Sequence, residues 1–307
     1  MHRPRVAVVV VTYNSADVLL ACLESLRDGG ATGVDLLDVV VVDNASSDLS
    51  LEVAKSVDGL PVSVVQMSEN LGYAAGLNAG VATLHSRPPD AVMVVNPDCR
   101  LQHGALATLA RALQVPPRGI VAPRLINPDG SLQPTLRRLP TVTGAFVEAL
   151  VGGRLADRLG LGELIFADGP HDVAGPAAWV TGAALLMSWG LLEAVGPWDE
   201  TFLLYSEETE FIFRAADHGW TTWYEPATVV GHIGGESSTR PGLAALLTVN
   251  KVRLFQRLHG PLRGRAYAAG VLLGNLVRAA RGQATARASV AALLLPWRRI
   301  TALSELR

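Results

Sequence analysis

The chain has 307 residues, of which 49% are hydrophobic and 18% are charged, and its formal net charge at pH 7 is -2. This length and apolar content allow a sizeable buried core, which excludes a disordered protein. The near-neutral charge gives no general attraction for nucleic acid, so we expect no nucleic-acid partner and local groups around any bound anion.

The first 125 residues alternate between short β-branched runs and helix-like stretches. The runs at 6–11 and 39–42 are apolar on both faces, which is typical of parallel strands covered by helices on both sides. A doubly wound sheet follows, and such sheets bind ligands beyond the carboxyl ends of their strands. The predicted strands and helices alternate in the order 6–11, 16–27, 39–42, 49–57, 62–66, 76–84, 91–95, 104–113 and 120–123.

Polar clusters follow three of these strands, at 12–14, 43–48 and 96–98. Because the carboxyl ends of parallel strands meet at one edge of a sheet, we expect the three clusters to converge. Capping of helices and turn formation are the alternative for the serines and asparagines. Asp43 and Asp98 come directly off buried strands, which favours a functional interpretation for these two.

These groups suit transfer of a sugar from a nucleotide donor, which needs a base pocket, a counter-charge for the departing diphosphate and a carboxylate base. Asp43 is suited to accept a hydrogen bond from the imide N–H of uracil or thymine, with Thr12 and Tyr13 shaping the pocket and Asn14 beside them.

The segment 69–78 reads as a strand-to-helix turn in which two glycines allow a backbone to approach a phosphate closely. Turn formation and helix packing are the alternative use of the same glycines. The candidate donor-binding residues of this segment are Asn70, Gly72, Gly76 and Asn78.

A diphosphate leaving group is well neutralised by Mg²⁺ or Mn²⁺, and such cations prefer carboxylate oxygens. Asp98 is the first candidate ligand and His232, at the end of a predicted strand, the second. A structural histidine is the alternative at position 232.

The acidic cluster 207–210 begins a predicted helix whose apolar residues 211–213 face the core. Acids in a first helical turn complement the helix dipole, which is the purely structural alternative. A general base in a cleft is the functional one, and Glu208 is the candidate.

The regular alternation ends after Pro123, where 127–130 (NPDG) is a strong turn signal. We expect the loops between Arg124 and Trp179 to build an acceptor pocket or, alternatively, a dimer interface. Further along, the apolar runs 266–273 and 288–296 are separated by arginines and are too short to span a bilayer. They suit helices lying on an anionic membrane or, alternatively, packed on this chain or a second subunit.

The compartment is predicted from two features. Two cysteines, Cys22 and Cys99, provide neither a disulfide framework nor a cysteine-based zinc site, which indicates a reducing compartment. An apolar β-like run begins within five residues of the N-terminus and no small-residue cleavage site follows, so we expect no secretory signal peptide. We therefore place the chain in the cytoplasm, with contact to the inner face of the membrane through its C-terminal helices.

Several separate motifs in order make the chain resemble glycosyltransferase family two over about residues 5 to 260, and especially its rhamnosyltransferase-like members. The motifs are VVVVTYNS, VVVDNASSD, ENLGYAAGLNAG, VVNPD, VTGAALLM, GPWDETFLLYSEETEFIFRAADHGW and GHIGGESS. The resemblance implies a GT-A fold, that is, a Rossmann-like, mostly parallel sheet with helices on both faces, here followed by a helical C-terminal extension. We expect a glycosyltransferase domain at 1–260, with a nucleotide-binding half (1–125) and an acceptor-binding half (126–260), and the extension at 261–307.

The resemblance also implies roles for individual residues. Asp43 matches the nucleoside-binding aspartate, and Asp98 matches the last acid of the metal-binding D-x-D motif, with Asn96 in place of the first. Binding of Mg²⁺ or Mn²⁺ then depends on Asp98 and His232 as ligands. Glu207 and Glu208 occupy the position of a Glu-Asp pair, which leaves either as the base. Trp179, Thr181 and Gly182 resemble the family segment that lines the donor sugar and the acceptor. Arg240 lies in a loop that we expect to close over the diphosphate.

The expected reaction is an inverting single displacement that moves a sugar to a cell-surface glycan or to its polyprenyl-diphosphate-linked precursor. The favoured donor is dTDP-rhamnose. A UDP-sugar (UDP-galactofuranose, UDP-glucose or UDP-N-acetylhexosamine) or GDP-mannose is the alternative donor. A sugar nucleotidyltransferase and a catalytically silent binding module are alternatives from other classes; the first usually has a glycine-rich N-terminal signature where residues 12–14 stand here.

Overall fold

The computed structural model describes residues 3–234 and 239–295. Its strands are β1 (Arg5–Thr12), β2 (Asp35–Asp43), β3 (Val62–Gln66), β4 (Ala91–Val95), β5 (Cys99–Leu101), β6 (Arg118–Ile126), β7 (Leu132–Gln133), β8 (Leu136–Arg137), β9 (Gly175–Ala177), β10 (Trp179–Val180), β11 (Ala184–Ser188) and β12 (Thr221–His232). Its helices are α1 (Ala16–Ser25), α2 (Ser50–Ser56), α3 (Tyr73–Thr83), α4 (Ala105–Leu113), α5 (Val142–Val151), α6 (Gly153–Arg158), α7 (Asp168–His171), α8 (Trp189–Val195), α9 (Glu207–Asp217), α10 (Pro241–Ala280) and α11 (Ala284–Leu294).

Ten strands of the described chain form one sheet, in the order β3-β2-β1-β4-β11-β6-β12-β5, with β7 paired to β6 and β9 to β12. The pairings among β1 to β4, and that of β6 with β12, are parallel. Strand β11 runs antiparallel between β4 and β6, and β5 runs antiparallel to β12. The predicted mostly parallel sheet is therefore confirmed.

Both faces of the sheet are covered by helices. Along β1, Val6, Val8 and Val10 pack with α1, α2 and α4, whereas Ala7 and Val9 pack with α3, α8 and α9. Successive side chains of a strand point to opposite faces, so a continuously apolar strand needs a helical layer on each side. The unbroken valine runs of β1 and β2 thus account for the three-layer architecture.

The C-terminal helices pack on the rest of the chain. Helix α10 is broken at Gly260, whose φ is 80°, and Pro261 follows the break. Phe255 and Tyr267 stack across it with ring centroids 4.0 Å apart. The second part of α10 lies against α5, and α11 lies against α10. The described part of the extension thus packs on its own chain, and its contact with a membrane or with a second subunit stays a prediction.

Part of what the sequence predicts lies outside the described residues. This holds for residues 235–238 within the motif GHIGGESS, for the last residue of the apolar run 288–296, and for 297–307 of the extension. Among the helices that the structure describes, none is both long enough and apolar enough to cross a membrane.

Candidate active site

Four strand ends bring the predicted site residues to one edge of the sheet. Thr12 and Asp43 are register partners at the ends of β1 and β2. Asp98 follows β4 by three residues, and the pairing of His232 with Cys99 brings the end of β12 beside it. Residues distant in sequence are thus gathered by the strand order alone.

At the β1–β2 end, three buried polar atoms have no hydrogen-bond partner among the described residues. They are Asn44 Oδ1 and the register-paired Thr12 Oγ1 and Asp43 Oδ1, on side chains that are at most 2% exposed. The other carboxylate oxygen of Asp43 accepts a hydrogen bond from Ser46 N at 3.3 Å. Because burying a polar group without a partner is costly, two such atoms side by side indicate a place where a ligand completes the bonding.

The loops beside this pair are joined by Asn14. Its Oδ1 accepts a hydrogen bond from Ser47 N at 2.8 Å, and its own N–H donates to Ser46 Oγ at 2.9 Å. Asn14 has a φ of 50°, a left-handed conformation that asparagine tolerates. The structure therefore places Asn14 in a contact between loops, with half-buried Tyr13 preceding it.

The four candidates of the 69–78 segment all make close contacts within the chain. Asn70 Oδ1 accepts hydrogen bonds from Asn44 Nδ2 at 2.8 Å and Gly72 N at 3.1 Å, and Asn78 exchanges two hydrogen bonds of 2.9 Å with the backbone of Trp198. Gly72, at φ 97°, has no room for a Cβ against Leu203, and Gly76 has none against Val11. Packing explains both glycines, and their contact with phosphate stays a prediction.

Asp98 and His232 form the candidate metal site. Asp98 Oδ1 lies 3.4 Å from His232 Nε2, and Asp98 Oδ2 accepts a hydrogen bond from Gly234 N at 2.8 Å. Burial raises the pKa of Asp98, but the hydrogen bond and charge of His232 and the bond from Gly234 outweigh burial, so the pKa is lowered overall. The carboxylate is therefore ionised at neutral pH.

The orientation of the His232 ring suits a metal ion. Its Nδ1 lies 2.6 Å from Gln133 Oε1, while Gln133 Nε2 donates to Asn127 Oδ1 at 3.0 Å. Since an amide oxygen only accepts, Nδ1 carries a proton, and in the neutral form of the ring the lone pair of Nε2 faces Asp98. Two acceptor atoms facing each other at 3.4 Å require a cation or a proton between them, and the second nitrogen held by a hydrogen bond is typical of metal-binding histidines.

Two other residues adjoin this site. Asn96 Nδ2 lies 3.5 Å from His232 Nε2, so the side-chain amide of Asn96 lies beside the candidate metal site. The sulfur of Cys99 lies within 4.8 Å of the Asp98 and His232 ligand atoms. Burial raises the pKa of the Cys99 thiol well above its usual value, and the thiol donates to Ala183 O at 3.4 Å. A protonated thiol is a poor ligand, so the donor set fits a hard cation held by Asp98 and His232.

The acid pair Glu207 and Glu208 begins α9, directly after a strained backbone segment. Leu203, Tyr205 and Ser206 have φ values of 60°, 69° and 75°, which non-glycine residues rarely adopt. Strain of this kind persists only where the surroundings hold it, and it concentrates at functional sites.

Asn250 of α10 holds the strained segment. Its side-chain amide, 3% exposed, donates to the carbonyl oxygens of Phe202 at 2.7 Å, Leu204 at 2.9 Å and Tyr205 at 3.2 Å. Tyr73 N binds the remaining carbonyl, that of Leu203, at 2.7 Å. The position of the acid pair therefore depends on contacts from α10 and from the turn before α3.

Burial raises the pKa of both acids, but the neighbouring charges act on them in opposite directions. It raises the pKa of Glu207 well above its usual value, and the neighbouring charge of Glu208 adds to this. Burial also raises the pKa of Glu208, but the positive charge of Arg137 opposes it. Two adjacent buried carboxyl groups do not both ionise readily, and the charge of Arg137 favours Glu208 as the partner that ionises.

One tyrosine links the acid pair to the metal site. The Tyr73 hydroxyl is buried without a hydrogen-bond partner among the described residues, and burial raises its pKa well above the usual value. The charges of Glu207, Glu208 and Asp98 raise that pKa further, which places Tyr73 within electrostatic range of all three. The candidate base and one of the candidate metal ligands thus both lie in the neighbourhood of Tyr73.

The remaining predicted residues lie on the segment 179–182, which contacts Glu208 through Gly182, and at position 240. Gly182 leaves no space between its backbone and the Glu208 side chain, since a Cβ would lie 2.9 Å from Glu208 Cβ. Thr181 Oγ1 faces Arg137 Nη2 at 3.4 Å, and buried Trp179 donates from its ring N–H to Arg138 O at 3.0 Å. Arg240 is exposed directly before α10, next to residues outside the described chain.

Sequence reasoning missed three residues of this site: Gln133, Arg137 and Asn250. Gln133 and Asn250 act through hydrogen bonds to residues 99 and 45 to 48 positions away, for which the sequence carries no local signal. Arg137 lies in the irregular region after Pro123, where no motif singles it out. Its proximity to Glu208 arises from the pairing of β8 with β10, which places Arg137 opposite Trp179.

Comparisons with known proteins agree with this architecture. The sequence profile of Glycosyl transferase family 2 matches residues 7–169. An N-acetylglucosaminyl-diphospho-decaprenol L-rhamnosyltransferase of Mycobacterium tuberculosis is 28% identical over 264 residues, covering 80% of this chain and 81% of the relative.

Solved structures show the same fold. A mannosyltransferase from Pyrobaculum calidifontis, in complex with GDP-Man and Mn²⁺, superposes with a TM-score of 0.59 at 19% identity, covering 97% of this chain and 83% of the other. GalNAc-T7, solved with UDP, GalNAc and Mn²⁺, gives a TM-score of 0.57 at 13% identity, covering 82% of this chain and 50% of the other. The predicted GT-A fold is confirmed by these neighbours.

Proposed function

The chain belongs to glycosyl transferase family 2, and from that premise we propose that it transfers L-rhamnose from dTDP-rhamnose to a polyprenyl-diphosphate-linked precursor of a surface glycan. Support for the donor and acceptor comes from the mycobacterial rhamnosyltransferase, which matches four fifths of both chains. The proposal assigns 1–125 to the nucleotide, 126–260 to the acceptor and 261–307 to an extension.

The observation that carries the proposal is the joint presence of unpartnered polar atoms at the β1–β2 end, a candidate metal site and a buried acid pair. Thr12 and Asp43 offer unpartnered polar atoms for the base of the nucleotide. Asp98 and His232 would hold Mg²⁺ or Mn²⁺, which neutralises the charge of a departing diphosphate. Glu208 supplies the carboxylate for the acceptor.

In the proposed mechanism, Glu208 accepts the proton of the acceptor hydroxyl as that oxygen attacks the anomeric carbon from the side opposite the diphosphate. The bond from the anomeric carbon to the diphosphate oxygen breaks, so the configuration inverts. Glu207 keeps its proton, because burial and the charge of Glu208 raise its pKa. Arg137 keeps Glu208 ionised by lowering the pKa that burial raises.

A donor screen tests the proposal. We expect the purified chain with Mn²⁺ or Mg²⁺ to release dTDP from dTDP-rhamnose selectively, with EDTA abolishing release, measured by chromatography of the free nucleotides. UDP-glucose, UDP-galactofuranose, UDP-N-acetylglucosamine and GDP-mannose are the comparison donors. Release from one of these alone would replace rhamnose and keep the reaction class. No release from any donor would contradict the proposal.

We also propose peripheral contact with the cytoplasmic face of the membrane, where a lipid-linked acceptor lies. Leu262, in the extension, is 81% exposed and is followed by exposed Arg263 and Arg265. An exposed leucine beside basic residues suits insertion between anionic headgroups. Leu262→Ser should lower co-sedimentation with phosphatidylglycerol vesicles several-fold, whereas Leu49→Ser, 66% exposed in the native chain, should not. Equal binding by both variants would contradict this contact.

A further inference from the structure

A large groove lies on the acceptor side of the protein, between β8 and the segment leading into β9. Its volume is about 660 Å³, within the roughly 300–1,000 Å³ of small-molecule sites. The lining is mostly apolar, and Tyr224 closes its base with a hydroxyl that already donates to His171 O at 3.2 Å. Apolar lining residues include Leu136, Leu139, Leu161, Ile165, Val173 and Pro176.

Arg137 connects this groove to the acid pair. Arg137 is one of the residues that line the groove, and the central carbon of its guanidinium lies 5.1 Å from the ring centroid of Trp179. Its Nε is buried without a hydrogen-bond partner among the described residues, and its Nη2 makes one long hydrogen bond, 3.4 Å, to Thr181. Its charge also acts on Glu208. One residue of the groove lining is therefore a cation that has a donor without a partner in the described chain and whose charge acts on the candidate base.

The other arginine that lines the groove, Arg138, is already bound to groups of the chain. Arg138 Nη1 donates to Asp157 Oδ1 at 2.8 Å and to Gly162 O at 2.8 Å. Asp157 is buried and also accepts hydrogen bonds from two backbone amides, so this pair is structural. The groove thus combines one available cation with apolar walls.

The outer end of the groove is apolar and basic. Leu139, Leu161 and Val173 line it and are 60%, 42% and 67% exposed. Helix α6, which immediately precedes the Gly160–Leu161 wall, exposes Arg154 and Arg158 and has Leu155 45% exposed. Its only acid, Asp157, is the buried partner of Arg138. This end therefore suits the surface of an anionic lipid layer.

We propose that the groove binds the isoprenoid and diphosphate of a lipid-linked acceptor, with the apolar chain along the leucines and the diphosphate at Arg137. The inference rests on the proposed function and adds the location and chemistry of the acceptor site. An amphiphile with an anionic head matches apolar walls that end at one unpaired guanidinium. A free glycan would instead need many hydrogen-bonding groups, which these walls lack.

Direct binding of farnesyl diphosphate, without any donor, tests this site by isothermal titration calorimetry on the full chain. We expect Arg137→Gln to weaken binding by about tenfold, because a charge-assisted hydrogen bond is lost. Ala178→Trp, at an exposed alanine of the groove, should weaken binding similarly by filling it. Ala194→Trp, at an exposed alanine of α8, is the matched control and should bind as the native chain does. Farnesol and inorganic diphosphate should each bind more weakly than farnesyl diphosphate.

Two results would overturn the inference. One is equal binding of farnesyl diphosphate by the native chain, Arg137→Gln and Ala178→Trp. The other is no binding by the native chain while it still releases nucleotide from a donor, which would leave the proposed function in place. Absence of nucleotide release from every donor, with farnesyl diphosphate bound in the groove, would instead contradict the proposed function. Circular dichroism of each variant checks that the chain is folded.

Discussion

Replacing Glu208 by Gln should lower the rate of sugar transfer by about 10²–10⁴-fold, the range of a general base. Gln has the same shape but cannot take the proton of the acceptor hydroxyl. Donor binding should remain, because the proposed contacts with the nucleotide base are assigned to Thr12 and Asp43 and not to Glu208. Single-turnover transfer and donor affinity, measured on the same preparation, separate the two effects.

Glu207→Gln is the matched control for this prediction. Because Glu207 already holds a proton, the amide should change transfer far less. Burial raises its pKa in the folded state above that of the unfolded chain, so the native protein loses stability as pH rises through the folded pKa. The free energy of unfolding of Glu207→Gln should therefore exceed that of the native chain at pH 8 more than at pH 4. A larger loss of transfer in Glu207→Gln than in Glu208→Gln would reverse the assignment.

The pH profile provides a second check on the base. The raised pKa of Glu208 predicts that transfer falls with acidity at a pH above the usual range for glutamate. Arg137 opposes that rise, so Arg137→Gln should move the acid limb of kcat/KM to still higher pH. An acid limb that does not move in Arg137→Gln would show that this charge does not set the ionisation of the base.

Loss of the metal ligands is the second change with a large expected effect. Asp98→Asn and His232→Ala should each weaken Mn²⁺ binding by more than about 100-fold, since each removes one of two protein ligands that face each other across 3.4 Å. Gln133→Ala removes only the acceptor that orients the ring, and about 10–100-fold weaker binding is expected. Electron paramagnetic resonance of free Mn²⁺ measures all three without requiring turnover.

Cys99→Ser serves as the control at this site. The thiol is protonated and donates to Ala183, so we expect Mn²⁺ affinity to change by less than about threefold, within the scatter of a conservative change. Native affinity for Mn²⁺ in Asp98→Asn, or a large loss in Cys99→Ser, would contradict the ligand assignment. The first result would show that other groups hold the ion.

The parts of the fold that the sequence predicts well are those governed by local pattern. The valine runs of β1 and β2 demand cover on both faces, and both strands appear close to their predicted bounds, extended by a few residues. The strands of the irregular region after Pro123 are harder to predict from the sequence. Strands β8 and β10 are each two residues long, and only their pairing across more than 40 positions defines them.

The site divides in the same way. Asp43 and Asp98 could be singled out because each directly follows a buried strand, and parallel strand ends meet. The arrangement of His232 beside Asp98 depends on the antiparallel pairing of β12 with β5, a contact across more than 130 residues. The contacts of Asn14 and Asn78 within the chain arise from loops whose geometry no local pattern specifies.

The Asn250 amide has a further consequence for how this protein can be altered. The backbone before the acid pair contains no glycine between Leu203 and Ser206, so its left-handed turns are maintained by a helix that begins over thirty residues later. The conformation of residues 202–208 therefore depends on α10. In a chimera whose α10 comes from a relative, the acid pair should keep its position only if that helix has a side-chain amide where Asn250 stands.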